Sequence, residues 1–425
     1  SYTDKKKAWW TDGRNNWAQV CATGLLFAER ALEKKGDPLH PARAGALATL
    51  KKCHKFYIPS GAYPEGPSYW HYGSNFHVLG LALLRSDSTK PSLPIPPEFK
   101  TSPLFIEHLT GPTGYVFNFA DANPTRSRVT AAQSWMAREF NHPATCYYLR
   151  TKLKKDISGN PGYKYGGSDR LFPLHLLWLP RTPEKEVPPL PLDSEWLGSQ
   201  PIATFRTDWS DKNALYFAIK GGYPGASHGQ MDVGTFVLES DGIRWAHDLG
   251  ADNYNMPGYF GDKRWNYYRL TNRSHNTLMI GDRLQNPNAA PCPITYFSSE
   301  KDQGTTGFDL TSAYQGQAEK VIRDCLFDRK NHSVTVTDTI IKPIDSVRWA
   351  IVTSAEIQIV GKTAILKQSG KQLRLTRIDE HGGNWTVLDA KPSQDIENQN
   401  KGKRILAFTV PASKQLNLSV MFDRP

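Results

Sequence analysis

The hydrophobic period changes partway along this chain, so a fold built from one kind of layer cannot accommodate it. From Asn16 to Lys35 the sequence NWAQVCATGLLFAERALEKK places Val20, Leu25, Leu26, Ala28, Ala31 and Leu32 near helical spacing, and Gly36 with Asp37-Pro38 supplies a stop. Similar patterns predict helices over 40–57, 74–85, 102–110, 131–140, 142–154 and 171–178. The stretch PRTPEKEVPPLPLDSEWLGSQP, from Pro180 to Pro201, lacks apolar periodicity and is too rich in proline to continue a helix. Beyond it the period falls to two. ATFRTDW, ALYFAIKG, GTFVLES, NTLMIG, KVIRDCLFD, HSVTVTDTII, SVRWAIVTS, AILKQ, QLRLTR, RILAFTV and LNLSVMF follow one another between short Gly, Asn and Asp turns. Short strands without intervening helices predict antiparallel sheets packed as a sandwich. The expected fold is α+β, with a helical domain over 1–180, a proline-rich linker over 181–201 and an antiparallel β-sandwich domain over 202–425.

Charge narrows the range of partners. Lys and Arg number 52 against 41 Asp and Glu, a formal net charge of +11, which favours a polyanion such as nucleic acid, anionic polysaccharide or a membrane surface. Nucleic acid finds no support beyond charge, because the basic residues are scattered and no nucleic-acid fold signature is present. No run approaches the length of a membrane span, and no signal peptide precedes Ser1, so a soluble mature form, secreted or periplasmic with its leader removed, is expected. Five cysteines lie far apart with no CxxC spacing, which excludes zinc knuckles and reads as buried small hydrophobes. Aromatic residues make up 11% of the chain; they suit either a sugar-stacking cleft or the filling of large cores.

The stretch from Ser227 to Ile280 gathers His228, Asp232, Asp248, Tyr254, Arg269 and His275 on strand-like sequence. In the helical half, Arg14-Asn15-Asn16-Trp17 opens a helix, and the Gly/Pro-rich aromatic loop from Gly61 to Gly73, which contains Glu65, Tyr69, Trp70 and Tyr72, leads into another. Helix-start asparagines, a later tyrosine and the His228 segment, in that order, resemble the heparinase II/III-like polysaccharide lyases over roughly residues 15–280. The resemblance implies an (α/α) toroid-like helical domain, incomplete for its length or lacking an N-terminal segment, ahead of the sandwich. It also implies β-elimination on a uronic-acid polysaccharide such as heparan sulfate, chondroitin, hyaluronan or alginate. Under it, Asn16 matches the asparagine that binds the uronate carboxyl, Tyr69 the catalytic tyrosine and His228 the catalytic histidine. His275 and Asp248 match a histidine and its aspartate partner that in several members hold a structural zinc. Where those members have His-x-His, this chain has His228-Gly229-Gln230, so Gln230 would be the third ligand of a divalent metal.

The chemistry calls for these residue types in its own right. A carboxylate beside the developing C5 carbanion repels charge, and an amide donor such as Asn16, aided by Arg14 or His275, can offset it by roughly 3–4 kcal/mol per donor. A neutral imidazole suits the base and a phenol suits the acid that protonates the departing O4, unless Tyr69 does both. Asn15, Glu65, Trp70, Tyr72 and Tyr254 are candidate substrate contacts, and Arg269 and Arg273 offer guanidinium forks for sulfate or carboxylate. Bland readings compete: Asn15 and Asn16 as helix N-caps, Tyr72 rather than Tyr69 as the functional phenol, and Asp232 as a structural acceptor. His247 is a second possible ligand, although strand alternation turns it away from Asp248. A toroidal glycoside hydrolase would need an opposed carboxylate pair, for which only Glu65, Asp121 and Asp232 are available. A noncatalytic polysaccharide-binding protein is the third possibility.

Overall fold

The computed structural model describes residues 8–34, 38–125, 129–158, 170–179 and 190–425. Residues 181–189 of the proline-rich linker lie outside the described residues. The chain divides into two compact units, one of residues 1–107 and 127–190 and the other of 108–126 and 191–425.

The first unit is helical. Its α-helices are α1 (Trp17–Leu32), α2 (Ala42–Cys53), α3 (Pro67–Arg85), α4 (Ser102–Leu109), α5 (Ala131–Phe140), α6 (Pro143–Ser158) and α7 (Leu174–Trp178), with α4 running to the unit's edge. Ala22 and Leu26 of α1, Ala46 and Leu50 of α2 and Leu84 of α3 form one buried cluster. Of the stripe the sequence spacing picked out on α1, only Leu26 is buried; Val20 and Leu25 are half-buried, and Ala28, Ala31 and Leu32 are exposed. The buried face is carried instead by small and polar residues, Ala18, Gln19, Ala22 and Thr23. α3 begins seven residues before the predicted start at Ser74. Gly66 has the positive φ of 85° that releases the chain from its loop, and Pro67 takes the first helical position, where its missing N–H is no loss. Tyr69 and Trp70 are therefore helical residues.

The second unit is built from seventeen strands among the described residues. β1 (Ser194–Trp196), β2 (Ile202–Arg206), β3 (Tyr216–Lys220), β4 (Phe236–Ser240) and β5 (Ile243–Ala246) form a five-stranded meander in chain order. After β6 (Leu278–Ile280) come β7 (Ile294–Ser299), β8 (Gln303–Asp309), β9 (Lys320–Asp328), β10 (Ser333–Ile341) and β11 (Val347–Thr353). The remainder are β12 (Glu356–Val360), β13 (Thr363–Gln368), β14 (Lys371–Arg377), β15 (Thr386–Asp389), β16 (Arg404–Val410) and β17 (Gln415–Asp423). They pair as an eight-stranded sheet, β12-β13-β14-β17-β10-β9-β8-β7, and a four-stranded sheet, β15-β16-β11-β6. All the ladders are antiparallel, as the short turns require.

The sheets stack face to face around one core. Phe205 of β2 packs on Phe297 and Phe327 of the large sheet, and Trp349 of β11 packs on Phe422 of β17. β10 alternates inward and outward side chains after its first residue, whereas β2 to β5 are buried on both faces. Residues 108–126 help to cover the outer face of the meander. Arg206 donates to the carbonyls of His108 and Thr110, Tyr216 to that of His108, and Arg244 to those of Tyr115 and Val116. This segment, which the sequence reading placed in the helical domain, thus clusters with the strands.

Candidate functional site

In the strand unit, Asp121 is the hub of a polar cluster. Its carboxylate is buried and accepts from His228 Nδ1 at 3.2 Å, Gln230 Nε2 at 2.9 Å, Arg264 Nη2 at 3.0 Å and Tyr259 OH at 3.2 Å. Burial alone would raise its pKa, but the His228 and Gln230 bonds and the Arg264 charge hold it below the usual carboxylate range. The backbone reinforces the pairing. The Asp121 N–H donates to the His228 carbonyl at 3.0 Å, so backbone and side chain both dock on the same residue. His228 itself has a φ of 59°, a left-handed conformation that non-glycine residues seldom adopt without a functional or structural constraint. Its ring stacks on Tyr254 at 6.2 Å and meets the edge of Phe260 at 5.6 Å, and both aromatics are exposed. With Nδ1–H directed at a carboxylate, a neutral imidazole carries its lone pair on Nε2.

A second cluster lies on the loops beside it. His275 Nδ1 and Asp248 Oδ2 are 3.2 Å apart, both side chains fully buried. Burial disfavours an imidazolium here, yet the charges of Asp248 and Asp232 lift the His275 pKa above its ordinary value. Lys220 and Asp232 form a buried pair at 2.5 Å, and Asp232 also accepts from the Ala120 N–H. His247 points elsewhere, toward Ser354 and Lys403, as strand alternation anticipates.

The metal expectation meets a poor donor set. Among the described residues no three His, Cys, Asp or Glu side chains gather to hold an ion. Gln230 offers a neutral carboxamide where zinc prefers imidazole or thiolate, and its amide nitrogen is already committed to Asp121. Gln230 Oε1, Asp248 Oδ2 and both His275 ring nitrogens are buried with no hydrogen-bond partner, so the three residues keep donor atoms open, with the carboxamide the weakest zinc ligand of the set.

The helical unit holds the other predicted residues. Asn16 sits at the N-cap position of α1 without capping it; its Nδ2 donates instead to Glu65 Oε2 at 2.6 Å. Asn15 does the terminal work, accepting the Trp17 N–H at 3.1 Å. Both Asn16 and Glu65 are buried, and burial pushes the Glu65 carboxyl up to about 8 against the opposing Asn16 bond. Beneath them Gln19 links Tyr57, Tyr63 and His77, and Tyr57 reaches Ser74. Tyr69 is half-buried in the first turn of α3, and Tyr72 is exposed against Phe76.

Several expected substrate contacts are otherwise employed. Trp70 is fully buried, with its indole N–H on Ser102 Oγ at 2.8 Å, and is a core residue. Arg14 extends into solvent beside Asp12. Arg269 is bound to Asn400 and the Ala251 carbonyl, and Arg273 pairs with Asp282 at the surface. The hydrolase carboxylates are likewise committed: Glu65 to Asn16, Asp121 to its four donors and Asp232 to Lys220. Asp121 as the partner of His228, with Arg264 and Tyr259, was not anticipated. Its neighbourhood, YVFNFADAN, carries only a short alternating run, and nothing in spacing ties it to a histidine more than a hundred residues on.

An α+β chain whose antiparallel sandwich carries histidine–carboxylate clusters on its loops is the class these observations define. The heparinase II/III-like C-terminal domain model matches residues 202–419, more than half of the chain, and the chain belongs to the heparinase II/III-like family. Heparan sulfate lyase HepC from Pedobacter heparinus superposes with a TM-score of 0.70 at 18% identity, covering 95% of this chain and 59% of that one. A heparinase III crystal structure gives 0.69 at 14% identity, covering 98% and 62%. A heparinase III gene product with methylated lysines gives 0.69 at 16%, covering 94% and 57%. At these identities the likeness is one of fold, and this chain spans about three fifths of the length of those proteins. No curated protein matches the sequence at a significant level.

Proposed function

We propose that this protein is a polysaccharide lyase that cleaves uronic-acid-containing anionic polysaccharides by β-elimination. The observation that carries the reading is His228, held in a strained backbone conformation with Nδ1 against an ionised Asp121 and its ring against exposed Tyr254 and Phe260. An imidazole oriented by a carboxylate beside an aromatic wall is a base or proton relay presented to a sugar face. Asn16 supports it, since an amide withdrawn from helix capping and oriented by Glu65 keeps a second N–H to offer a carboxylate.

In this mechanism Asn16 neutralises the uronate carboxylate and stabilises the enediolate as the C5 proton leaves. His228 or Tyr69 takes that proton, the electron pair forms the C4–C5 double bond, and the C4–O4 bond breaks. Tyr69 protonates O4. His275, its pKa raised by the charges of Asp248 and Asp232, stands beside Asp248 in this mechanism, and every proton in it moves through Tyr69 or His228. The substrate class is heparan sulfate, chondroitin, hyaluronan or alginate, and the place of action is extracellular or periplasmic; among the described residues no helix is long and apolar enough to cross a membrane.

The test is ultraviolet absorbance of unsaturated uronate when purified protein meets each of the four polymers, with and without chelator. One polymer should give product at a rate the chelator leaves unchanged. Asn16→Ala, Tyr69→Phe and His228→Ala should each lower that rate by about a hundredfold or more. Absence of product from all four polymers would sink the proposal.

A further inference from the structure

A cavity of about 530 Å³ in the strand unit is lined by none of the residues around Asp121. Four segments meet there: Thr113 and Tyr115 from residues 108–126, His247 just after β5, Gln368 and Lys371 across the β13–β14 turn, and Lys403 just before β16. Its charge is unbalanced. Lys403 Nζ is bound to Ser354 Oγ at 2.6 Å and lies 3.3 Å from His247 Nδ1, both neutral partners. Among the described residues no carboxylate pairs with Lys403 or with Lys371. The other charges facing the cavity cancel, Arg244 against Glu239 and Asp241 against Arg424. A largely buried ammonium without a counter-charge is unfavourable, and its situation favours the neutral amine. Burial first, and the charges of Arg244 and Arg269 second, bring Lys403 down to about 8. Gln368 Oε1 is a further unmet demand, a buried acceptor with no donor.

Uncompensated cations, an orphaned acceptor and the Tyr115 ring around one cavity are complementary to a single kind of ligand. It carries an oxyanion for the lysines, hydroxyl groups for the amide oxygen and a flat, weakly polar face for the aromatic. We propose that this cavity is an anionic-saccharide site, in which Lys403 and Lys371 hold a carboxylate or sulfate and Gln368 accepts from a sugar hydroxyl. The saccharide class rests on the polysaccharide reading above; the demand for an anion rests on the cavity alone.

Isothermal titration with glucuronate, inorganic sulfate and glucose tests it, in wild-type protein and in the His228→Ala variant. Both proteins should bind glucuronate saturably and more tightly than sulfate, with glucose weakest. Equal binding in the His228→Ala protein separates this site from the catalytic proposal, so that failure of either leaves the other standing. Lys403→Met should weaken glucuronate by about tenfold or more, the effect of losing a charge-assisted hydrogen bond. The surface variant Lys371→Met should weaken it less, and serves if Lys403→Met misfolds. The proposal is overturned if glucuronate does not bind, if sulfate binds and glucuronate does not, or if neither lysine substitution alters affinity.

Discussion

Burial turns the Glu65 carboxyl into a proton store. Its pKa of about 8 in the folded chain stands against an ordinary 4.5, because desolvation outweighs the Asn16 bond. A carboxyl whose pKa is raised on folding contributes stability that is whole below about pH 4.5. That contribution erodes as the unfolded chain ionises, and it is gone above about pH 8. Wild-type protein should therefore lose melting temperature between mildly acidic and mildly alkaline buffer by an amount equivalent to a few kcal/mol. Glu65→Gln, which keeps an acceptor for Asn16 but has no proton to lose, should flatten that slope, as thermal unfolding across pH will register. A parallel decline in both proteins would place the titration elsewhere. Neither the bond nor the shift is visible in the sequence, where Glu65 is one acid in a Gly/Pro-rich loop; both follow from burial, which local pattern does not encode. His228 was easier to single out, since a histidine in a glycine-flanked turn has few structural uses.

Between helices, the approach of α3 to α1 depends on Gly73. A Cβ there would lie 2.5 Å from Tyr63 OH and closer still to Gln19 Oε1, with Asn16 Cβ at 3.3 Å. The two oxygens are joined to each other by a 2.8 Å hydrogen bond and have no easy retreat. Gly73→Ala should destabilise by about 1–3 kcal/mol through overpacking. In a Tyr63→Phe background, where one oxygen is gone, the same change should be milder, so urea unfolding should show less than additive losses. Additive losses would mean the helices simply shift apart. Helices and long strands were legible from period alone because each has a face to bury, as α1 does against α2. The strands the sequence concealed are β1, β5, β7, β8, β12 and β15, and all but the seven-residue β8 are short or irregular. β1 lies in the proline-rich stretch, β5 follows β4 after a tight turn, and β7 carries a register shift against β8. The early start of α3 was hidden for a related reason, since Pro67 reads as a breaker unless it falls at the first helical position.

For the molecule, the question is what fixes loops that carry chemistry onto a sheet whose own pattern is purely apolar. Arg323 of β9 answers it for the strand unit. It faces Asp338 across the β9–β10 ladder with two bonds of 2.8 Å, and both side chains are fully buried. Its remaining amino group donates to the carbonyls of Gly234 at 2.6 Å and Asn276 at 2.9 Å, residues that flank Asp232 and His275. In sequence the pair shares the apolar parity of its strands, Arg323 with Val321, Cys325 and Phe327 in KVIRDCLFD and Asp338 with Val334, Val336 and Ile340 in SVTVTDTII. Alternation turns both inward but does not reveal which loop carbonyls Arg323 reaches, so the fold class was legible and this link to the site was not. Arg323→Met leaves Asp338 buried and unpaired and should cost about 3–5 kcal/mol in urea unfolding. Adding Asp338→Leu removes the stranded carboxylate and should recover much of that stability, because a buried ion pair and a packed apolar pair are often near parity. The double variant still lacks the clamps on Gly234 and Asn276, so its rate in the unsaturated-uronate assay proposed above and the His275 imidazole resonances should remain displaced from wild type. Recovery of stability together with a wild-type rate and spectrum would show that Arg323 serves the sheet alone.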